Sequence, residues 1–356
     1  MKQGMNLSQL ASIVMDTSER KRDYVVDVKS IDFGYNDGEF QYFAGVQGHG
    51  GIGGSMNEHA LRQMTTELDI PATFVNTLKS EDPTYLPEVM NRRAFSKDSQ
   101  RMLRTVGPRM VAAVSPSFSR DYDNDTILKA VLPILRESDL QVESCNLSET
   151  MMHLKAFSPR LSGEVDLGDV VQSGIHIRNS DVGLSRALIN EINKRLACMN
   201  GMTRSETVNA YKRIHRGSRL PAGFIPSIAT TTAHQLALAS EMRDVVTYLL
   251  SEERFNETVN MMKQAKEYKF TAKNLEAGIR ELGRQVGFTQ TEGDEILAHL
   301  IAGNDLSQYG MLNAVTRYSQ DVESYDRATE LEGIGGKVLE LKPRQLAAIT
   351  YAQEAA

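Results

Sequence analysis

Hydrophobic and polar positions alternate near the start of the chain. In "YVVDVKSIDFGYNDGEFQYFAGV", two runs of Val, Ile, Phe and Tyr flank Asn36-Asp37-Gly38. Asp-Gly supplies the positive φ of tight hairpin turns, so the pattern predicts a β-hairpin. The period then lengthens. Ala60, Met64 and Leu68 form one stripe of a helix, with Leu61 beside it, and the helix stops before Pro71. A second helical stretch is predicted over 71–106, interrupted by Pro83 and Pro87. "RMVAAVSPSFSRDYDN" reads as a strand ending in a polar turn. In "DNDTILKAVLPILRES", Asp123 or Asn124 caps a short helix with Ile127, Val131 and Leu135 on its core face, and Pro133 interrupts its register.

Three short strands follow within 140–179. In the last, Val171, Ile175 and Ile177 take one face and Gln172, His176 and Arg178 the other. Leu184, Leu188, Ile192 and Leu196 recur every four residues, which favours a helix started by Ser180 or Asp181 and leaves a strand at "KRLACM" open. From about 228 the pattern is helical to the end. "LGRQVGFTQTEGDEILAHL" has the spacing of a helix-turn-helix. Its second helix carries Glu292, Asp294 and Glu295, the wrong charge for a phosphate-facing recognition helix, so a packing pair is expected. "LPAGFIP" at 220–226 has the composition of a linker. The expected fold class is α+β: an N-terminal β-hairpin and helices, a central mostly antiparallel sheet, and a helical C-terminal domain. The expected units are 1–58, 59–222 and 223–356.

Composition fits a globular protein. Aliphatic, aromatic, Met and Cys residues make 41% of 356 residues and glycine adds 26, within the roughly 45–50% apolar content of soluble domains. No apolar run approaches the roughly 18 residues of a membrane span, and "MKQGMNLSQLASIVMDTSERKR" lacks a small-residue cleavage site, so a cytoplasmic protein of the host cell is expected. Cys145 and Cys198 form no CxxC or zinc pattern and read as reduced thiols.

Charge changes the picture. The net charge is −6, but it is arranged in blocks. Residues 1–90 carry 7 Lys/Arg against 13 Asp/Glu, residues 91–219 carry 20 against 14, and residues 220–356 carry 13 against 19. The cationic middle contains two islands. The first is Arg92, Arg93, Lys97, Arg101, Arg104 and Arg109. On a helix, Arg93, Lys97, Arg101 and Arg104 share one face, which is what a surface tracking a phosphate backbone needs. The second is Lys194, Arg195, Arg204, Lys212, Arg213, Arg216 and Arg219, with His215 among them; Tyr211 would stack a base. The competing readings are a solvated helix face, a basic loop, and salt bridging to the acidic flanks.

Motifs for chemistry are sparse. Gly48, Gly50 and Gly53 match G-x-G-x-x-G, with Ser55 or Asn57 as cap of the next helix, but no Walker lysine is present and the preceding hairpin argues against a βαβ unit. A flexible loop is the favoured reading, with a nucleotide-binding enzyme as its alternative. The histidines form no zinc motif, and His176 is expected at the surface. "DYDND", 121–125, lacks the glycine and distal glutamate of an EF-hand and reads as helix capping. No G-x-S-x-G is present. No catalytic residue, metal or cofactor is assigned. Asn179-Ser-Asp-Val-Gly183 and Asn200-Gly201 are turn chemistry.

The stretches "HALRQMTTELDIPATFVNTL", "VAAVSPSFSRDYDN", "GDVVQSGIHIRNSDVG", "RLACMNGM", "IHRG" and "YGMLNAVTRYSQDVESYDRATELEGIGGKVLEL" resemble a family from phages, prophages and plasmids (domain of unknown function nine-three-two). They span roughly 59 to 340; the first fifty residues and the glycine run do not clearly match. The family brings no settled activity. It implies a mobile-element context, in which basic α+β proteins that anneal single strands are an analogy of fold and setting. Single-stranded DNA binding, with annealing by a homo-oligomer, is the expected function; a non-enzymatic protein that binds a host or phage protein is its rival.

Overall fold

The computed structural model describes residues 1–352 except 47, 49, 119, 205–210, 214–226 and 271–274, and only the backbone of 211–213, 228 and 231. The chain is α+β, with three antiparallel sheets. Among the described residues no helix is long and apolar enough to cross a membrane.

The predicted hairpin forms from β2 (Ile31–Asn36) and β3 (Glu39–Val46). Asp37 and Gly38 both take positive φ, 51° and 83°, the backbone of a two-residue turn whose twist matches its strands. The run before it belongs elsewhere: β1 (Lys21–Asp27) pairs with β5 (Gln100–Val106), which pairs with β6 (Arg109–Val114). Helices α2 (Glu58–Glu67), α3 (Ala72–Glu81) and α4 (Tyr85–Phe95) complete this region. One core, including Val26, Phe33, Tyr42, Leu61, Met64, Leu86, Met90 and Leu103, joins both sheets to the helices, so no separate unit ends at residue 58.

Two expectations fail here. The glycine run is not the flexible loop expected of it from Gly50 onward. Gly50–Ser55 form strand β4, paired with β3 from Val46↔Gly50 to Gln41↔Ser55, and α2 starts after it under the Asn57 cap. The exposed Phe43 ring lies over Gly51 and Gly53, where a Cβ would stand 2.4 and 3.2 Å from its carbons. The glycines leave room for an aromatic ring. The second helical stretch also ends early, at Phe95. Residues 100–106 gain ladder bonds on both sides as the middle strand of their sheet, which outweighs a helical arrangement of charges.

The central sheet contains β7 (Gln141–Leu147), β8 (Met152–Asp166), β9 (Asp169–Asn179), β10 (Ala187–Arg195), β11 (Asn200–Thr203) and β12 (Tyr211–Arg213). Its order is β7-β8-β9-β10, with β11 and β12 both pairing along the outer side of β10. The helix favoured over 184–196 is therefore strand β10. A spacing of four is two strand periods as well as about one helical turn, so Leu188 and Ile192 share a sheet face equally well. Leu184 and Leu196 fall outside the strand and are exposed.

One face of this sheet is apolar. Met152, Leu154, Ala156, Ile175, Ile177, Ala187 and Ile189 pack against α1 (Leu7–Arg20), α5 (Asn124–Glu137) and α6 (Ile228–Leu249). Pro133 sits inside α5 without ending it. Because α6 belongs to this core, the boundary at 222 does not divide the hydrophobic cores. A third core is built by α7 (Glu252–Glu267), α8 (Leu275–Val286), α9 (Gln290–Gly303), α10 (Gln308–Tyr318), α11 (Tyr325–Leu339) and α12 (Pro343–Thr350), with Leu161, Val165, Val171 and Met202 from the sheet. The pair α8–α9 packs as expected: Gly283 and Gly293 admit the Phe288 ring, and Glu292 caps α9 and binds Arg327.

Candidate functional site

The polar face of the central sheet begins the account, because it buries groups expected at the surface. His176 is 1% exposed and not at the surface. Its neighbour across the ladder is Lys155, and its Nε2 lies 3.1 Å from His153 Nδ1. His153 Nε2 in turn lies 2.9 Å from Asp326 Oδ1 on α11. Lys155 Nζ donates to Glu332 Oε2 at 2.6 Å, both side chains being fully buried. Burial pushes both histidines below the ordinary imidazole value, His176 well below it, and the Lys155 ammonium adds to this. The ring Nδ1 of His176 has no partner among the described residues. Helix α11 covers this cluster and ties the C-terminal helices to the sheet.

The first basic island does not share the helix face expected of it. Arg93 lies on α4, Lys97 beyond its end, and Arg101 and Arg104 on β5, so they share no helix face. Most are matched by carboxylates: Lys97 with Asp69 at 2.6 Å, Arg101 with Glu67, Arg109 with Glu149 at 2.9 Å, Lys194 with Glu143, and Arg195 with Asp169 at 2.5 Å. Arg204 is buried among Glu191, Glu257 and Glu340. Arg92 and Arg93 are exposed. Residues 211–213 form β12, with side chains outside the description; His215, Arg216 and Arg219 lie outside the described residues.

Arg104 is the most heavily matched. Completely buried, it grips Asp23 with Nε and Nη2, each at 2.8 Å, and its Nη1 donates at 2.7 Å to Asp123 Oδ1 and to the Asp181 carbonyl. Lys21 Nζ reaches Asp123 and Asp181 at 2.7 and 2.9 Å, and Arg120 Nε reaches Asp23 at 2.6 Å. Burial opposes ionisation of Asp23, but Arg104 and Arg120 hold its carboxyl below the usual range. Burial and the adjacent Asp181 push Asp123 up despite the nearby cations. The cluster joins four segments: β1, β5, the turn entering α5, and the turn leaving β9. Asn179 Nδ2 continues the join, donating to the Tyr122 carbonyl at 2.7 Å and to Asn124 Oδ1 at 2.9 Å, while the Asn124 N–H donates to Asp181 Oδ1 at 2.6 Å. The "DYDND" and "NSDVG" stretches are thus structural partners.

Above this cluster lies an open groove of about 780 Å³ between α2, the end of β6 and the 183–188 segment. Among the described residues its walls carry Arg62, Arg101 and Arg186 against a single carboxylate, Glu67, which is engaged by Arg101. Arg62 and Arg186 are exposed and have no carboxylate partner among the described residues. Phe118 and the half-exposed Leu184 give the groove apolar surface, and the buried Arg104 guanidinium lies 5.3 Å from the Phe118 ring centre. The turn is held by His59 Nε2 and Gln63 Nε2, which bind the Val182 carbonyl at 3.0 and 2.8 Å, while Gln63 Oε1 accepts from the Ala113 N–H at 2.7 Å. Gly183 is demanded by φ of 80° and by Val114, which a Cβ would meet at 3.0 Å. Strand β12 runs alongside, with Arg213 opposite Ala187 and Lys212 opposite Leu188, next to the groove wall.

Sequence reasoning missed Arg62 and Arg186 because each is an isolated cation between uncharged neighbours, and only the fold brings them together. Gly183 and the turn around it were the available signal. Among the described residues, no cluster of His, Cys, Asp and Glu is arranged to hold a metal ion. Comparison of the chain with family models, curated proteins and solved structures finds no match.

Proposed function

We propose that the chain binds nucleic acid, with single-stranded DNA as the ligand, through the groove between α2, β6 and the 183–188 segment. The supporting observation is the meeting, in one open groove, of unmatched arginines with an aromatic ring. Arg62 and Arg186, without a carboxylate partner among the described residues, would hold phosphates, and Phe118 and Leu184 would offer apolar surface to bases. The edge strand β12 carries Lys212 and Arg213 in its sequence and runs beside the same wall. Binding of this kind is independent of base sequence, because the contacts are to backbone charge and to ring faces that every base presents. The resemblance to a phage and plasmid family supports a mobile-element setting, and annealing by an assembly of copies extends the same reading.

Fluorescence anisotropy with a labelled single-stranded oligonucleotide, read across a salt series, tests it. Arg62→Ala with Arg186→Ala should weaken binding at least tenfold and make the slope of log K against log salt shallower by about 1.4, two contacts at roughly 0.7 each. Both side chains are exposed, so stability should stay within about 0.5 kcal/mol. A wild-type chain that leaves the oligonucleotide free, or a double variant with unaltered slope, removes the groove as a nucleic-acid site.

A further inference from the structure

Behind the turn that walls the groove lies a second, smaller pocket of about 340 Å³, enough for a ligand of nucleoside size. Val182 connects the two spaces. Its carbonyl is bound by His59 and Gln63 of the groove, while the residue also lines the pocket. The other apolar walls are Val14, Val106, Val111 and Leu147.

The pocket wall contains a buried polar group without a partner. Asn57 is 1% exposed. Its Oδ1 accepts the Ala60 N–H at 2.8 Å as the cap of α2, which leaves the amide Nδ2 as a donor without a partner among the described residues. An unpaired buried donor costs about 1–3 kcal/mol, a cost that a ligand acceptor would recover. The charges around the pocket are already matched: Arg20 by Asp16, Lys21 by Asp123 and Asp181, Arg104 by Asp23 and Asp123, and Arg109 by Glu149. A charged ligand would have to break these pairs. An uncharged one would not.

We propose that this pocket binds a nucleobase or nucleoside: a flat, uncharged heterocycle with apolar faces against the valines and an acceptor on its edge for Asn57 Nδ2. The choice of heterocycle rests on the groove reading, since the Asp181–Gly183 turn contributes to the walls of both spaces. The site would then take an unstacked base of a bound strand.

Free adenosine, guanosine, cytidine and thymidine, which carry no phosphate for the groove, are the probes. Calorimetric titration of the full chain should show saturable binding of at least one. Asn57→Ser keeps a side chain able to cap α2 and deletes the amide donor, so it should weaken that binding about tenfold. Val111→Phe fills the pocket and should abolish it. Oligonucleotide anisotropy on the same variants separates the two sites. Nucleoside binding without oligonucleotide binding retains the pocket and sinks the groove; oligonucleotide binding with no nucleoside response in the wild type does the reverse. Nucleoside binding unchanged in Asn57→Ser overturns the assignment even if Val111→Phe fails to fold.

Discussion

Arg104 and Arg62 stand in the same region of the fold and do opposite things. Arg104 has no exposed surface, two carboxylate partners and a carbonyl. Arg62 is exposed on α2 and has no carboxylate partner among the described residues. The dense cationic stretch of the sequence supplied the first, and an inconspicuous helix supplied the second. A cation whose charge is satisfied inside the molecule holds segments together; one left unsatisfied at a concave surface is available to a ligand. Local density of Lys and Arg does not separate the two cases, because the carboxylates that satisfy Arg104 lie 81 and 19 residues away in sequence.

The sharpest way to test this contrast is to truncate the buried partner. Arg104→Ala takes the shared cation from buried Asp23 and Asp123, leaving Asp23 to Arg120 and Asp123 to Lys21, and removing one partner from such a network costs about 3–5 kcal/mol. Denaturant unfolding should show that loss, set against a change within about 0.5 kcal/mol for Arg62→Ala. Equal costs at both positions would end the distinction.

A second buried pair provides a smaller effect and a check on its cause. Lys155→Met alone strands Glu332 in the interior and should cost about 3 kcal/mol, whereas Lys155→Met with Glu332→Leu removes both charges and should restore most of that. If the double variant is as unstable as the single one, the loss comes from disturbed packing under α11 and not from an unmatched charge.

The histidine cluster beside it gives a pH dependence. His153 and His176 have folded values below the ordinary 6.5, for burial first and the Lys155 charge with it. In the window between their lowered folded values and 6.5, the unfolded chain binds more protons than the folded one, so stability rises with pH across it and is lost on acidification. Asp326, held below its ordinary 3.8 despite burial by its bonds to His153 and Ser148, gives up its proton-dependent share only at lower pH. The urea midpoint should therefore fall between pH 7.5 and 5.5, and His176→Gln should flatten that slope. A slope of the same size in the variant places the titration elsewhere.

Much of the fold was readable from period and turn chemistry: the Asp37-Gly38 hairpin, the Asn57 and Asp123 caps, the strands within 140–179 and the C-terminal helices. The failures share a cause. Residues 100–106 and 187–195 are interior strands whose conformation is fixed by distant partners; the three-residue spacing of Arg101 and Arg104 fits a helix face but puts them on opposite faces of β5, and that of Leu188 and Ile192 fits a helix as readily as a sheet face. His176 took the polar side of an alternating strand, and nothing local showed that α11 covers that side. The groove was less legible still. Its turn was recognisable at Gly183, but its unmatched arginines come from α2 and from the segment entering β10, over a hundred residues apart.

The smallest effect expected is at Arg92 and Arg93, the exposed members of the first island that no carboxylate matches among the described residues. Both sit in the last turn of α4, where a cation complements the exposed carbonyls of the helix end. That interaction is worth about 0.3–1 kcal/mol at low salt and fades with screening, so it explains their placement without a ligand. Replacing both with Ala should lower stability by a few tenths of a kcal/mol, more at low salt than at high. Oligonucleotide affinity should fall less than threefold, against at least tenfold for the groove pair, because neither residue lines the groove. A drop as large as that of Arg62 and Arg186, with a similar loss of salt slope, would break the comparison: the polyanion path would then run from the groove onto α4, and unmatched charge on a convex helix would count as much as unmatched charge in a cleft.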